Sequence, residues 1–103
     1  MKQTFYLYTM FYDGEAGGVK TRLFASPRNA KVCLEQDYNN VIEYLKKRCE
    51  ESKECIEEGM EEYAMNMSDF GYVVSDDCMH RYIGCPVGEV FNGTITPIQT
   101  EDY

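Results

Sequence analysis

The chain has 103 residues, of which 44% are hydrophobic and 14% aromatic, and its formal net charge is −8 at neutral pH. This length accommodates a single domain, residues 1–103, and the apolar content excludes an intrinsically disordered chain. No apolar run approaches the ~18 residues that cross a bilayer, and the N-terminus lacks the apolar region of a signal peptide. We therefore expect a cytoplasmic protein that does not contact a membrane.

The negative charge is concentrated in the second half of the chain. Residues 1–48 contain 8 Lys or Arg and 5 Asp or Glu, whereas residues 49–103 contain 2 and 13. Such an acidic surface repels phosphate backbones, so direct nucleic-acid binding is disfavoured. The charge instead suits a partner protein with a basic surface.

The N-terminal residues predict a β-hairpin. Residues 4–12 are rich in aromatic and β-branched side chains, the glycine-rich segment 13–18 predicts a turn, and residues 19–25 predict a second strand. Because side chains alternate along a strand, the second strand has one face that we expect to meet the core, made of Val19, Thr21, Leu23 and Ala25. The opposite, outer face of the hairpin carries Tyr6, Tyr8, Met10, Tyr12, Lys20, Arg22 and Phe24.

Ser26 and Pro27 predict the start of a helix. The Ser hydroxyl can accept from a free backbone N–H, and Pro at the first helical position loses no hydrogen bond. One apolar stripe then advances by three or four residues through Leu34, Tyr38, Val41, Leu45, Cys49, Ser52, Ile56, Met60, Tyr63 and Met67. A turn between two helices would reset this phase, so we predict one helix from Pro27 to about Glu58. Gly59 is its weakest point, and a continuation to Met67 would leave an overhang that needs a partner.

Three further extended segments follow the helix, at residues 72–74, 79–83 and 90–98. Asn92-Gly93 is typical of a tight turn, Pro97 favours an edge position, and the residues after Ile98 are expected to be loose. The predicted fold is therefore α+β. It has an antiparallel sheet of four to five strands, in the order ββα followed by ββ or βββ, with one long helix packed on one face.

The cysteines and the single histidine carry little catalytic signal. Five cysteines without a CxxC pair favour buried free thiols over a disulfide framework. Cys78, His80 and Cys85 are weak candidates for a metal site, because structural zinc sites have two spaced ligand pairs and these residues form one cluster. Cys78 and His80 also have the spacing of a thiolate and its base, but a packed thiol and a surface histidine are the more common arrangement. With no phosphate-loop or hydrolase motif, the sequence predicts no enzyme activity, no catalytic residue and no cofactor.

A dense row of glutamates follows the middle of the predicted helix. Most such rows are only solvated faces, but like charges four residues apart cost a few tenths of a kcal/mol per pair. A rigid line of carboxylates can also engage arginines that normally hold a phosphate backbone. The residues predicted to bind a partner are Glu50, Glu54, Glu57, Glu58, Glu61 and Glu62.

The outer face of the hairpin is a second candidate binding surface. It combines aromatic rings with cations, as do sheets that stack single-stranded bases, at Tyr6, Tyr8, Tyr12, Lys20 and Arg22. The alternative is that another copy or the C-terminal strands cover this face. An apolar strip of this size also predicts a homodimer, with this face or the far part of the helix as the contact.

The overall layout resembles that of a known set of proteins. The strand Phe5-Tyr6-Leu7-Tyr8, a glycine-rich turn, the segment Leu23-Phe24-Ala25-Ser26 leading into a charged helix, and Tyr-rich strands resemble small acidic proteins of phages and mobile elements, including anti-CRISPR proteins. The resemblance implies a viral inhibitor of a nucleic-acid-handling protein in the cytoplasm of a bacterial host, acting as a stoichiometric binder and nucleic-acid mimic. A ligand or single-strand binder and a homodimeric structural module remain the alternatives.

Overall fold

The computed structural model describes residues 2–13, 18–60, 64–86 and 88–101. In chain order the elements are β1 (Lys2–Tyr12), β2 (Gly18–Phe24), α1 (Pro27–Glu57), a 3-10 helix (Met67–Asp69), β3 (Gly71–Val74), β4 (His80–Cys85) and β5 (Gly88–Glu101). The strands form one antiparallel sheet in the order β2-β1-β5-β4-β3, and α1 packs on one face of it. This confirms the predicted α+β fold, with ββα followed by βββ. None of the helices in these ranges has both the length and the apolar character that a membrane crossing requires.

The predicted helix start is confirmed, and the predicted apolar stripe is confirmed from Leu34 to Cys49 but not at Ile56 and Met60, which are exposed. Ser26 has extended dihedral angles and its Oγ accepts from the Asn29 N–H at 3.4 Å, with Pro27 at the first helical position. The buried side of the helix is formed by Ala30, Leu34, Tyr38, Val41, Leu45 and Cys49. The sheet contributes Tyr8, Ile83, Phe91 and Ile95 to the same core. Burial of this stripe holds the helix to the sheet.

The helix ends where its weakest point was predicted. The Glu58 N–H donates to the Glu54 carbonyl at 3.1 Å, and Gly59 then adopts a left-handed φ of +81°, which only glycine tolerates easily. The stripe does not continue as a helix to Met67, which instead begins the 3-10 helix. Tyr63 lies outside the described residues.

The two faces of the hairpin were assigned the wrong way round. The predicted core residues of β2 are exposed, with Val19 72% and Leu23 59% accessible, and Thr21 and Ala25 are exposed as well. The face that carries Tyr8 and Lys20 lies under α1 instead. An alternating pattern fixes which residues share a face, but the position of the helix decides which face is buried.

β5 differs from the prediction at its middle and at its end. Asn92 and Gly93 lie inside the strand, where they pair with β1 and β4, so they form no turn. Pro97 lies in a central strand, but β4 pairs with β5 only as far as Thr94, so the strand has a free side around the proline. The strand extends to Glu101 and pairs with β1, which corrects the expectation of a loose end after Ile98.

Candidate functional site

The acidic residues of α1 lie on the part of the helix that extends beyond the core. Among the helix side chains that the structure describes, Cys49 is the last buried one, and Glu50, Glu54, Glu57 and Glu58 are all exposed. We call these four residues the acidic helix end. Glu61 and Glu62, which were predicted to continue the row, lie outside the described residues.

The carboxylates of the acidic helix end are only partly neutralised. Glu50 Oε1 lies 2.9 Å from the Lys53 ammonium, and both side chains are exposed, so this ion pair contributes little. Within the described ranges, Glu54, Glu57 and Glu58 have no ion pair. Three carboxylates are therefore available to a cationic partner.

The position of these carboxylates opposes helix stability. The C-terminal end of a helix carries a partial negative charge, so each acidic side chain there costs about 0.3–1 kcal/mol, and the last turn of α1 contains no basic residue. A chain that keeps carboxylates at this position retains an unfavourable charge arrangement. This is the physical argument for a role in binding.

The acidic helix end has a fixed base and apolar neighbours. The Ser52 hydroxyl donates to the Cys49 carbonyl at 2.8 Å and accepts from the Met65 N–H at 2.8 Å, which ties the segment after the helix back to it. Ile56 and Met60 are 48% and 39% exposed beside the carboxylates. The surface therefore combines charge with apolar area, as protein interfaces do.

A groove of about 310 Å³ lies between this part of the helix and residues 65–67. Its two lysines are directed to neighbouring carboxylates: Lys46 Nζ lies 3.2 Å from Glu43 and Lys53 Nζ 2.9 Å from Glu50. The groove is open and of mixed charge, so it does not define a site for a particular ligand.

The hairpin face that carries Tyr6, Tyr8, Tyr12, Lys20 and Arg22 is not an outward platform for bases, because α1 packs on it. Tyr8 is fully buried, and its hydroxyl donates to Asp37 Oδ2 at 2.7 Å. Burial, and then the hydrogen bond to the Asp37 carboxylate, raise the pKa of Tyr8 far above its ordinary value of 10.0. Lys20 Nζ lies 3.0 Å from the same carboxylate. Tyr8 and Lys20 of the sheet therefore both bind Asp37 of the helix.

The other members of that face have similar local roles. Tyr6 and Tyr12 are half-buried, and the Tyr12 ring packs edge-on against Tyr44 with centroids 6.0 Å apart. The Arg22 guanidinium lies 5.1 Å from the centre of the Phe24 ring. The prediction that this face forms a dimer contact is wrong, because α1 covers it.

Asp37 was the residue that sequence reasoning missed in this cluster. It lies three residues after Leu34 and four after Cys33, at the border of the buried stripe, and that spacing was the available signal. The Cys33 thiol lies 3.9 Å from Asp37 Oδ2 and 3.8 Å from the Arg22 guanidinium. The cluster is an interlayer polar contact that closes the edge of the core.

The weak metal candidates are not brought together. Cys78 is exposed in the turn between β3 and β4, whereas His80 and Cys85 are at opposite ends of β4, roughly 17 Å apart at ~3.3 Å per residue. His80 Nε2 lies 2.8 Å from Asn92 Oδ1. Across the described part of the chain, no three His, Cys, Asp or Glu residues are grouped to hold a metal ion.

The described cysteines are free thiols, as predicted, but they are not uniformly buried. Cys49 is buried, Cys33 and Cys85 are half-buried, and Cys78 is exposed. Burial raises the pKa of the Cys49 thiol, so this group stays neutral in the fold.

Comparisons with known proteins identify no family for this chain. The chain matches no protein-family model, no curated protein and no solved structure. The functional argument therefore depends on the surfaces of the molecule itself.

Proposed function

We propose that this protein works by binding rather than by catalysis, and that the acidic helix end binds a basic surface of a partner protein. The observation that carries the proposal is a group of three unpaired carboxylates at the C-terminal end of a helix, where they disfavour folding. The exposed apolar side chains beside them add contact area that charge alone would not supply.

The pitch of the carboxylates supports a narrower proposal about the partner. Neighbours on one side of a helix are roughly 5–6 Å apart, so these carboxylates form a closely spaced line of negative charge, as a phosphate backbone does. Arginines that bind phosphates can bind carboxylates bidentately. The partner is accordingly a bacterial nucleic-acid-handling protein, which this chain inhibits by occupying the nucleic-acid groove from within the host cytoplasm.

The test compares two pairs of charge reversals with the same change in net charge. Glu54→Lys with Glu57→Lys alters the acidic helix end, and Glu35→Lys with Asp76→Lys alters exposed carboxylates elsewhere. Each immobilised protein is incubated with bacterial lysate at 0.1 M salt, and bound proteins are eluted with duplex DNA or with 1 M salt. We expect wild type and the Glu35/Asp76 variant to retain a protein that both eluents release, and the Glu54/Glu57 variant to lose it.

Stability and binding should separate in this experiment. Reversing the charges removes an unfavourable interaction with the helix end, so the Glu54/Glu57 variant should melt at the same temperature as wild type or slightly higher. Equal retention by both variants, or retention that DNA does not compete, would contradict the proposal. A variant that no longer folds would show instead that these side chains are packed, which their exposure opposes.

A second candidate function is a homodimeric interaction module. It is favoured by a specific observation, the uncovered apolar face of the sheet, which involves different residues from those of the acidic helix end. Its partner is argued below.

A further inference from the structure

One face of the sheet carries many apolar side chains, and none of the described helices packs on it. It lies opposite α1, and we call it the open face. Six of its apolar side chains form three cross-strand pairs directly opposite each other in the register: Phe11 with Val19, Leu7 with Leu23, and Phe5 with Ile98. The two residues of β2 are the most exposed of the six. The same face carries threonines at positions 9, 21, 94 and 96.

The charge pattern limits what can cover this face. On β1, β2 and residues 94–98 of β5, the open face carries no ionisable side chain, although the chain as a whole has a net charge of −8. A nucleic acid would meet no cation here, and a charged protein would bury its charges unpaired. A second copy presents the same neutral surface, so two chains that repel each other elsewhere can approach here.

The size of the open face is that of a dimer interface. From the strand lengths, ~3.3 Å per residue and ~4.8 Å between strands, the whole face of the five strands measures roughly 670 Å² in projection, and its uncharged part on β1, β2 and residues 94–98 roughly 360 Å². Stable interfaces bury about 800 Å² of accessible surface per partner, and accessible area exceeds projected area because side chains protrude. The face is therefore large enough for one specific partner.

We propose that the open face binds the open face of a second copy, so that two sheets pack face to face with the helices outside. Such sheets lie about 10 Å apart with their strands about 30° from parallel. A two-fold axis places the apolar β1–β2 part of each copy on the other. The polar side chains of β4, His80 and Tyr82, then lie toward the rim.

The test measures the mass of the full chain by light scattering and sedimentation between about 1 and ~100 μM, a range in which a dimer of ordinary affinity assembles. We expect twice the chain mass of 12.0 kDa at the upper end. Leu23→Lys should give a monomer at all concentrations, because each dimer would bury two unpaired ammonium groups. The matched control is Val32→Lys on the outer side of α1, since Val32 is 56% exposed and Leu23 59%. The control should remain a dimer.

A second variant guards against a folding effect of lysine in a strand. Val19→Thr with Leu23→Thr keeps β-compatible side chains but removes apolar area from both copies, and should raise the dimer dissociation constant at least about tenfold. Circular dichroism confirms that each variant is folded. A wild-type monomer over the whole range would overturn the proposal, and so would a dimer that persists in both open-face variants.

Discussion

At Gly93 in β5, a side chain of the helix lies against the sheet backbone and leaves no room for a Cβ. A Cβ at Gly93 would overlap Leu34 Cδ1 and lie 3.0 Å from the Phe91 ring. Both neighbours are fully buried, so neither can move aside without disturbing the core. Its φ is not left-handed, so the effect of Gly93→Ala is steric and not conformational.

The expected cost follows from two opposing terms. Overpacking a close-packed core lowers the unfolding free energy by about 1–3 kcal/mol. Replacing Gly by Ala also reduces the conformational entropy of the unfolded chain, which raises the unfolding free energy by about 0.4–1 kcal/mol. We expect Gly93→Ala to lose about 1–2 kcal/mol of unfolding free energy. With a urea m-value of about 2 kcal/mol/M, the unfolding midpoint falls by roughly 0.5–1 M.

A double-mutant cycle tests the cause. Leu34→Ala alone should cost about 2–5 kcal/mol by leaving a cavity, and the methyl group introduced by Gly93→Ala would fill part of that cavity. Gly93→Ala with Leu34→Ala should therefore be more stable than the sum of the single changes predicts, by about 1 kcal/mol or more. The control is Gly71→Ala in β3, where an added Cβ has no atom within 4 Å, and which should be neutral or slightly stabilising. Additive losses, or equal effects at positions 71 and 93, would refute this account.

Two further predictions concern single side chains. Because the pKa of Tyr8 is raised in the fold, the protonated phenol stabilises the folded state fully below pH 10, and this contribution is lost as the pH rises above 10. In urea titrations at pH 8, 10 and 11, Tyr8→Phe should lower the unfolding free energy at pH 8, because the hydrogen bond to Asp37 is lost. Above pH 10 the unfolding free energy of the variant should decline less steeply than that of wild type, by about 1.4 kcal/mol per pH unit. Parallel declines would contradict this. Cys78 has a left-handed φ of 59°, which glycine adopts without steric cost. In the same assay Cys78→Gly should therefore raise the unfolding free energy by about 0.5–1 kcal/mol, whereas Cys78→Ala should not. Equal effects of the two substitutions would exclude backbone strain as the cause.

The sequence predicted those features that depend on local chemistry. The cap at Ser26, the stripe from Leu34 to Cys49 and the stop at Gly59 each follow from the properties of a few neighbouring residues. The faces of the hairpin do not, because β1 is apolar or aromatic on both sides, and the alternation along β2, with Lys20 and Arg22 on one face, favours as the core face the one that is exposed in the fold. Which face the helix covers depends on tertiary contacts such as the pairing of Asp37 with Tyr8 and Lys20.

The acidic helix end was located by sequence, but its physical significance required the structure. The row of glutamates was visible in the sequence, whereas the end of the buried stripe at Cys49 and the absence of a basic residue in the last turn appear only once the helix is placed. The open face shows the opposite case. Its residues on β2, Val19, Thr21 and Leu23, are predicted from sequence to meet the core, because an apolar face that packs within a chain and one that is left exposed can have the same composition.

The two proposed surfaces are physically independent. The open face lies on the side of the sheet away from α1, and the acidic helix end lies beyond the core at the end of that helix. A dimer through the open faces would place both helices on its outer sides, so both sets of carboxylates would stay accessible. Dimerisation would then add avidity toward a partner with two basic sites without any new contact. If light scattering shows a monomer, the proposed binding role of Glu54 and Glu57 is unaffected. If charge reversal leaves partner binding unchanged, the proposed dimer through the open face is unaffected.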